Sequence, residues 1–88
     1  MRPSILIVDD EALTLRTIGR ALETEGYDVL SAINGEDALK IIAEEKPDLA
    51  LLDVVLPGIN GIEVLAQARK ISPAMIVVMM SAYHLVDR

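Results

Sequence analysis

Short, unbroken apolar runs alternate along this chain with longer stretches whose apolar residues recur every three or four positions. Ser4–Val8 is rich in branched residues and unbroken by polar ones, as a strand covered on both faces of a parallel sheet requires, and Asp9 and Asp10 close it. Over residues 11–25, Leu15, Ile18 and Leu22 follow helical spacing with Ala21 beside them, and Gly26 supplies the stop. Residues 27–32 alternate more and include Asp28, which predicts a half-exposed edge strand. Asn34 is a suitable N-cap for a second helix, with Asp37 three residues on and Ala38, Leu39 and Ile42 as its apolar stripe. Pro47 ends that helix, since the residue before a proline is pushed out of right-handed helical geometry.

Residues 49–52 form a third apolar run, and it delivers a carboxylate, Asp53, into a loop marked by Pro57, Gly58 and Gly61. Asn60 can cap a third helix with Ile62, Leu65 and Ala66 facing inward, stopped by Ser72 and Pro73. Residues 75–80 read as a fourth strand, and residues 81–88 as a loop entering a helix. Strands alternating with helices of this length specify an α/β fold with a parallel sheet. Crossovers are right-handed, so helices reach both faces only if the chain reverses direction across the sheet. In the doubly wound order 2-1-3-4 the reversal lies between strands one and three, and ligands bind outside the carboxyl ends of the strands at that point. Those two strands end in Asp9, Asp10 and Asp53.

Composition narrows the picture. The chain has 88 residues, a single-domain length, and 52% of them are apolar, enough for a core. With two Tyr and neither Phe nor Trp, that core must be aliphatic. The formal net charge of −6, with the bases scattered, argues against direct nucleic-acid binding by this chain. Absence of cysteine removes disulfides and thiolate metal sites and fits a reducing, cytoplasmic setting. The N-terminal apolar run is too short for a signal peptide or a membrane span, so no membrane association is expected.

Asp9 and Asp10 at a helix start have an ordinary use as caps. A third acid at the same place changes that. Two carboxylates about 4 Å apart repel by roughly 4 kcal/mol at an effective dielectric near 20, so a proton or cation must relieve the cluster. An all-oxygen donor set suits Mg²⁺ better than Zn²⁺, for which there is no Cys and a single His. Mg²⁺ draws phosphate oxygens, and a carboxylate beside a phosphoryl donor can act as nucleophile and form an acyl phosphate. A phosphohydrolase with an aspartyl nucleophile is disfavoured, since the second acid usual two residues on is replaced by Val55. A flavin site is disfavoured because acids would face the ligand's phosphate. His84 reads as solvated surface, and Met75, Met79 and Met80 as core or interface filler.

Asp9-Asp10 after strand one, Asp53 after strand three with Pro57-Gly58 and Gly61 behind it, and Ser81-Ala82 after strand four together resemble the receiver domain of two-component response regulators. The resemblance runs from Ser4 to about Tyr83 and implies a flavodoxin-like doubly wound fold, order 2-1-3-4. It also implies a signalling domain and not an enzyme in the ordinary sense. Asp53 would be the phosphoacceptor, supplied by a histidine kinase or a small phosphodonor. Asp10 would ligate Mg²⁺ directly together with Asp53, Asp9 would act through a metal-bound water, and the Val55 backbone carbonyl would complete the protein ligands. Ser81 would be the switch hydroxyl, and Val55 and Tyr83 would modulate access of hydrolytic water.

Receivers of this family run to about 120 residues, with a fifth strand and helix. The lysine that opens the fifth strand has no counterpart, since Lys40, Lys46 and Lys70 fall on or near helices two and three. Residues 1–88 are therefore expected to be a single, truncated receiver domain, a fragment of a longer regulator. Helix one alone would then cover one sheet face, and the uncharged fourth strand would be an open edge that recruits other strands. Two functions follow from this. One is a phosphorelay receiver. The other is a signalling-incompetent fragment that acts as a self-associating module, a dimer or larger, through the strand-four edge.

Overall fold

The computed structural model describes residues 2–80, which form four parallel strands and three helices. In chain order they are β1 (Ser4–Val8), α1 (Ala12–Thr24), β2 (Asp28–Ala32), α2 (Gly35–Glu45), β3 (Leu49–Asp53), α3 (Gly61–Ile71) and β4 (Ile76–Met80). The sheet order is β2-β1-β3-β4, so the reversal predicted between strands one and three is present. Ser81, Tyr83, His84 and the expected start of a fourth helix lie outside the described residues.

Local chemistry explains where α2 and α3 begin. Asn34 Oδ1 accepts the Asp37 N–H at 2.7 Å, and Asn60 Oδ1 accepts the Glu63 N–H at 2.9 Å. Each side chain thus satisfies a donor that the first turn of a helix leaves unpaired. α1 has no such side-chain cap. Its C-terminus turns through Gly26, whose φ of 98° is the left-handed geometry that lacks a Cβ penalty. α2 ends differently from expectation. Lys46, the residue before Pro47, does not become extended but takes φ 49° and ψ 61°, and its N–H reaches Ile42 O at 3.2 Å. A left-handed residue avoids the proline clash as an extended one does, and it also satisfies a terminal carbonyl.

Parity along the strands divides the apolar residues between two layers. Leu6, Val8, Ala50 and Leu52 face α2 and α3 and form one core with Ala38, Ile42, Val64 and Ala68. On the other face Ile5 and Ile7 are buried, and Gly19 of α1 lies over Ile7 and Val29. Cover then thins across the sheet. Leu49 and Leu51 are half-buried, while Ile76 and Val78 of β4 are 61% and 43% exposed. Among the described residues β4 is a sheet edge with no charge and no proline.

Two helix faces differ from the sequence expectation. Ala21 is exposed, and the buried position of α1 is Gly19. In α3, Ile62 is 58% exposed and Ala66 is exposed, Leu65 is half-buried, and Gly61, Val64 and Ala68 are buried. Small residues let both helices lie close to what they cover, and this close approach, not side-chain bulk, sets their rotation.

Candidate functional site

β1 and β3 are the two central strands and run parallel, Val8 beside Leu52, so their carboxyl ends emerge together. Asp9 and Asp10 follow β1, and Asp53 is the last residue of β3, paired with Met80, not the first residue of the loop. One carboxylate oxygen from each of Asp9, Asp10 and Asp53 lies within 4.8 Å of the other two. The sheet order thus brings together acids more than forty positions apart in the chain.

Each acid stands in a different environment. Asp9 is only 9% exposed, and its Oδ1 accepts the Glu11 N–H at 2.9 Å at the start of α1. Asp10 is exposed. Asp53 Oδ1 accepts the Val55 N–H at 3.0 Å, which fixes the carboxylate plane and leaves Oδ2 for other partners. Burial pushes the Asp53 carboxyl above its ordinary pKa, the Val55 N–H opposes the rise, and the negative charges of Asp9 and Asp10 add to it. Among the described residues no cationic side chain pairs with the cluster, and the lone ion pair, Arg2 with Asp28, lies at the far end of the sheet. Lys46 follows α2 and Lys70 sits in the last turn of α3, where both helices have run back toward the opposite end. A donor set made only of carboxylate oxygens, carrying unrelieved like charge, fits a hard divalent cation.

The loop behind Asp53 is held tightly. Gly58 has φ 74°, a left-handed turn position, and the Glu36 carboxylate of α2 packs over it. The Gly61 N–H donates to Val54 O at 2.9 Å, and Val54 N–H to Met80 O at 2.9 Å. Val55 is 48% exposed at the rim. The sequence marks all three acids but shows Gly61 only as a loop residue, whereas it is bonded to Val54 and packs so close behind Asp53 that a Cβ there would overlap the Asp53 backbone. The spacing of Gly61, Val64, Leu65 and Ala68 was the available signal. A depression of about 580 Å³ lined by Arg2, Ser4, Glu23, Tyr27 and Asp28 opens at the other end of the sheet, away from the acids.

A doubly wound sheet with three carboxylates at its switch point defines a receiver-type domain, and comparison with known proteins agrees. The sequence model of the response regulator receiver domain matches residues 5–87. The chain belongs to that family. It is 40% identical over 87 residues to the sporulation initiation phosphotransferase F of Bacillus subtilis, covering 99% of this chain and 70% of that protein. To the alkaline phosphatase synthesis transcriptional regulatory protein PhoP of the same organism it is 50% identical over 70 residues, 80% of this chain but only 29% of the relative. Among solved structures, a CheY-like receiver domain from Methanospirillum hungatei superposes with a TM-score of 0.92 at 38% identity, over 94% of this chain and 66% of that one. A response regulator from Burkholderia pseudomallei, solved with a phosphorylated aspartic acid and a calcium ion, gives a TM-score of 0.87 at 28% identity, over 92% of this chain and 48% of that one.

Proposed function

We propose that this chain is the phosphoryl-accepting unit of a two-component phosphorelay in the cytoplasm, with Asp53 as the acceptor. The observation that carries the reading is the cluster itself, with Asp53 oriented through Oδ1 by the Val55 N–H and its second oxygen free to attack. That oxygen forms a bond to the phosphorus of a phosphohistidine or of a small acyl or amido phosphate. The P–N or P–O bond to the donor breaks, and its electron pair leaves with the imidazole, carboxylate or ammonia. The phosphorylated aspartic acid and cation in the Burkholderia relative support the assignment.

Asp10, Asp53 and the Val55 carbonyl would hold Mg²⁺, with Asp9 acting through a bound water. The bound ion would neutralise the acids and the incoming phosphoryl oxygens. Ser81 is assigned the switch hydroxyl, by resemblance. Incubation with Mg²⁺ and acetyl phosphate or phosphoramidate, followed by intact-mass analysis, tests the reading. The wild type should gain one phosphoryl group and Asp53→Asn none, and an unmodified wild type would refute it.

One observation favours a second reading, a self-associating module. Among the described residues β4 has an unpaired row of backbone donors and acceptors beside exposed Ile76 and Val78, and the partner whose chemistry complements such an edge is the same edge of a second copy. Sedimentation at micromolar concentration should then show a dimer that Val78→Lys returns to monomer. A monomeric wild type excludes it.

A further inference from the structure

We infer that Gly61 is a positioning residue for the acceptor site, its missing side chain setting the height of Asp53 and of the Val54–Val55 backbone against Asp9 and Asp10. This rests on the phosphoacceptor reading. A Cβ on Gly61 would overlap the Asp53 carbonyl oxygen and stand 2.8 Å from Val54 Cα and 3.0 Å from Val54 O. All three are backbone atoms, and none can rotate aside. Gly61 does not occupy the left-handed region, so alanine meets no conformational penalty there and its effect is purely one of space. Other glycines behave differently. At Gly19 the Cβ would meet Val29 Cγ1 at 3.6 Å, ordinary contact, and at Gly35 it would meet the buried Val64 Cγ2 at 2.5 Å and Ile59 Cγ1 at 2.7 Å, side chains of the core and not the backbone of the acceptor strand.

The displaced backbone is the part that holds the carboxylate. Asp53 Oδ1 is tied to Val55 N–H, Val54 N–H to Met80 O, and Gly61 N–H to Val54 O. Any shift of the Asp53–Val54 peptide therefore turns the carboxylate and moves the Val55 carbonyl. Asp9 and Asp10 cannot follow, because they continue from Leu6, Ile7 and Val8, which are fully buried in a different strand. A methyl group at position 61 would thus pull one ligand away from the other two. The same contact explains why α3 turns Val64 and Ala68 inward in place of Ile62 and Ala66.

The test compares wild type, Gly61→Ala and Asp48→Ala, a destabilising change at the opposite end of the sheet, by calorimetric Mg²⁺ titration, thermal melting and phosphorylation by acetyl phosphate. Gly61→Ala should lose about 10- to 100-fold in Mg²⁺ affinity, the range for residues that orient metal ligands, with a matching fall in phosphorylation rate at fixed Mg²⁺. Asp48→Ala should melt earlier yet keep wild-type Mg²⁺ affinity. Equal affinity in Gly61→Ala and wild type, or equal losses in both variants, would overturn the inference. If Gly61→Ala does not fold, amide exchange in the wild type decides, where added Mg²⁺ should slow the Gly61 N–H and an unchanged rate counts against the proposal. A wild type that binds no Mg²⁺ and takes no phosphate refutes the phosphoacceptor reading and this inference with it, whereas a competent wild type with an unaffected Gly61→Ala refutes this inference alone.

Discussion

The two ends of the sheet use aspartate in opposite ways. At the amino ends of the strands every acid drawn into the structure has a partner. Asp48 accepts the Ser4 N–H at 2.8 Å and receives Ser4 Oγ at 3.4 Å, and its own backbone joins β1 and β4. Asp28 meets Arg2 at 3.4 Å, and Arg2 also donates to Gly26 O at 3.1 Å. At the carboxyl ends Asp9, Asp10 and Asp53 converge with backbone N–H groups as their only hydrogen-bond donors among the described residues. The lower acids hold strands together. The upper ones repel one another, and that uncompensated charge is what supports the proposed cation site.

If that contrast is right, the largest response should come from supplying the missing charge. Mg²⁺ at about 100 times its dissociation constant should stabilise the wild type by about 2.7 kcal/mol, read as a shift in the urea midpoint, and should do far less for Asp53→Asn. Next, Asp48→Ala should destabilise by about 1.5 kcal/mol, a charged hydrogen-bond partner lost, with Mg²⁺ affinity unchanged because the opposite end is untouched. A change in affinity would show the two ends to be coupled.

A smaller effect of opposite sign is expected for Asp53→Asn without metal. Burial first, and then Asp9 and Asp10, raise the Asp53 carboxyl in the folded state. Its contribution is therefore fully present below the unfolded carboxylate range and is lost as pH rises through the raised value. Asp53→Asn should melt later than wild type near neutral pH, and the gain should vanish on acidification. A gain that persists in acid would point to packing and not charge. Arg2→Ala should cost least, about 0.5 kcal/mol or below, as exposed pairs do, and salt titration of the melting temperature should show most of it screened.

Legibility followed the range of the forces involved. The caps of α2 and α3 were readable because Asn34 and Asn60 act on N–H groups three residues away. β1 matched residue for residue, since an unbroken branched run has few other fates. The faces of α1 and α3 were not readable from bulk. Leu15, Ile18 and Leu22 do turn toward the sheet, half-buried, but Gly19 lies deepest, and in α3 the larger Ile62 yields to Gly61 and Val64. Hydrophobic periodicity assumes that large side chains set a helix's rotation, whereas here close backbone approach does.

The sequence by itself determined the alternation of strands and helices, their caps and the residue types of the acid cluster, because these depend on neighbours along the chain. That Asp53 stands within 4.8 Å of Asp9 and Asp10 required the order β2-β1-β3-β4, which sets the ends of β1 and β3 side by side. The tertiary structure also decided that the residue closest behind the proposed acceptor is a glycine. Only the packing of α3 onto the end of β3 leaves room for nothing larger than hydrogen at position 61.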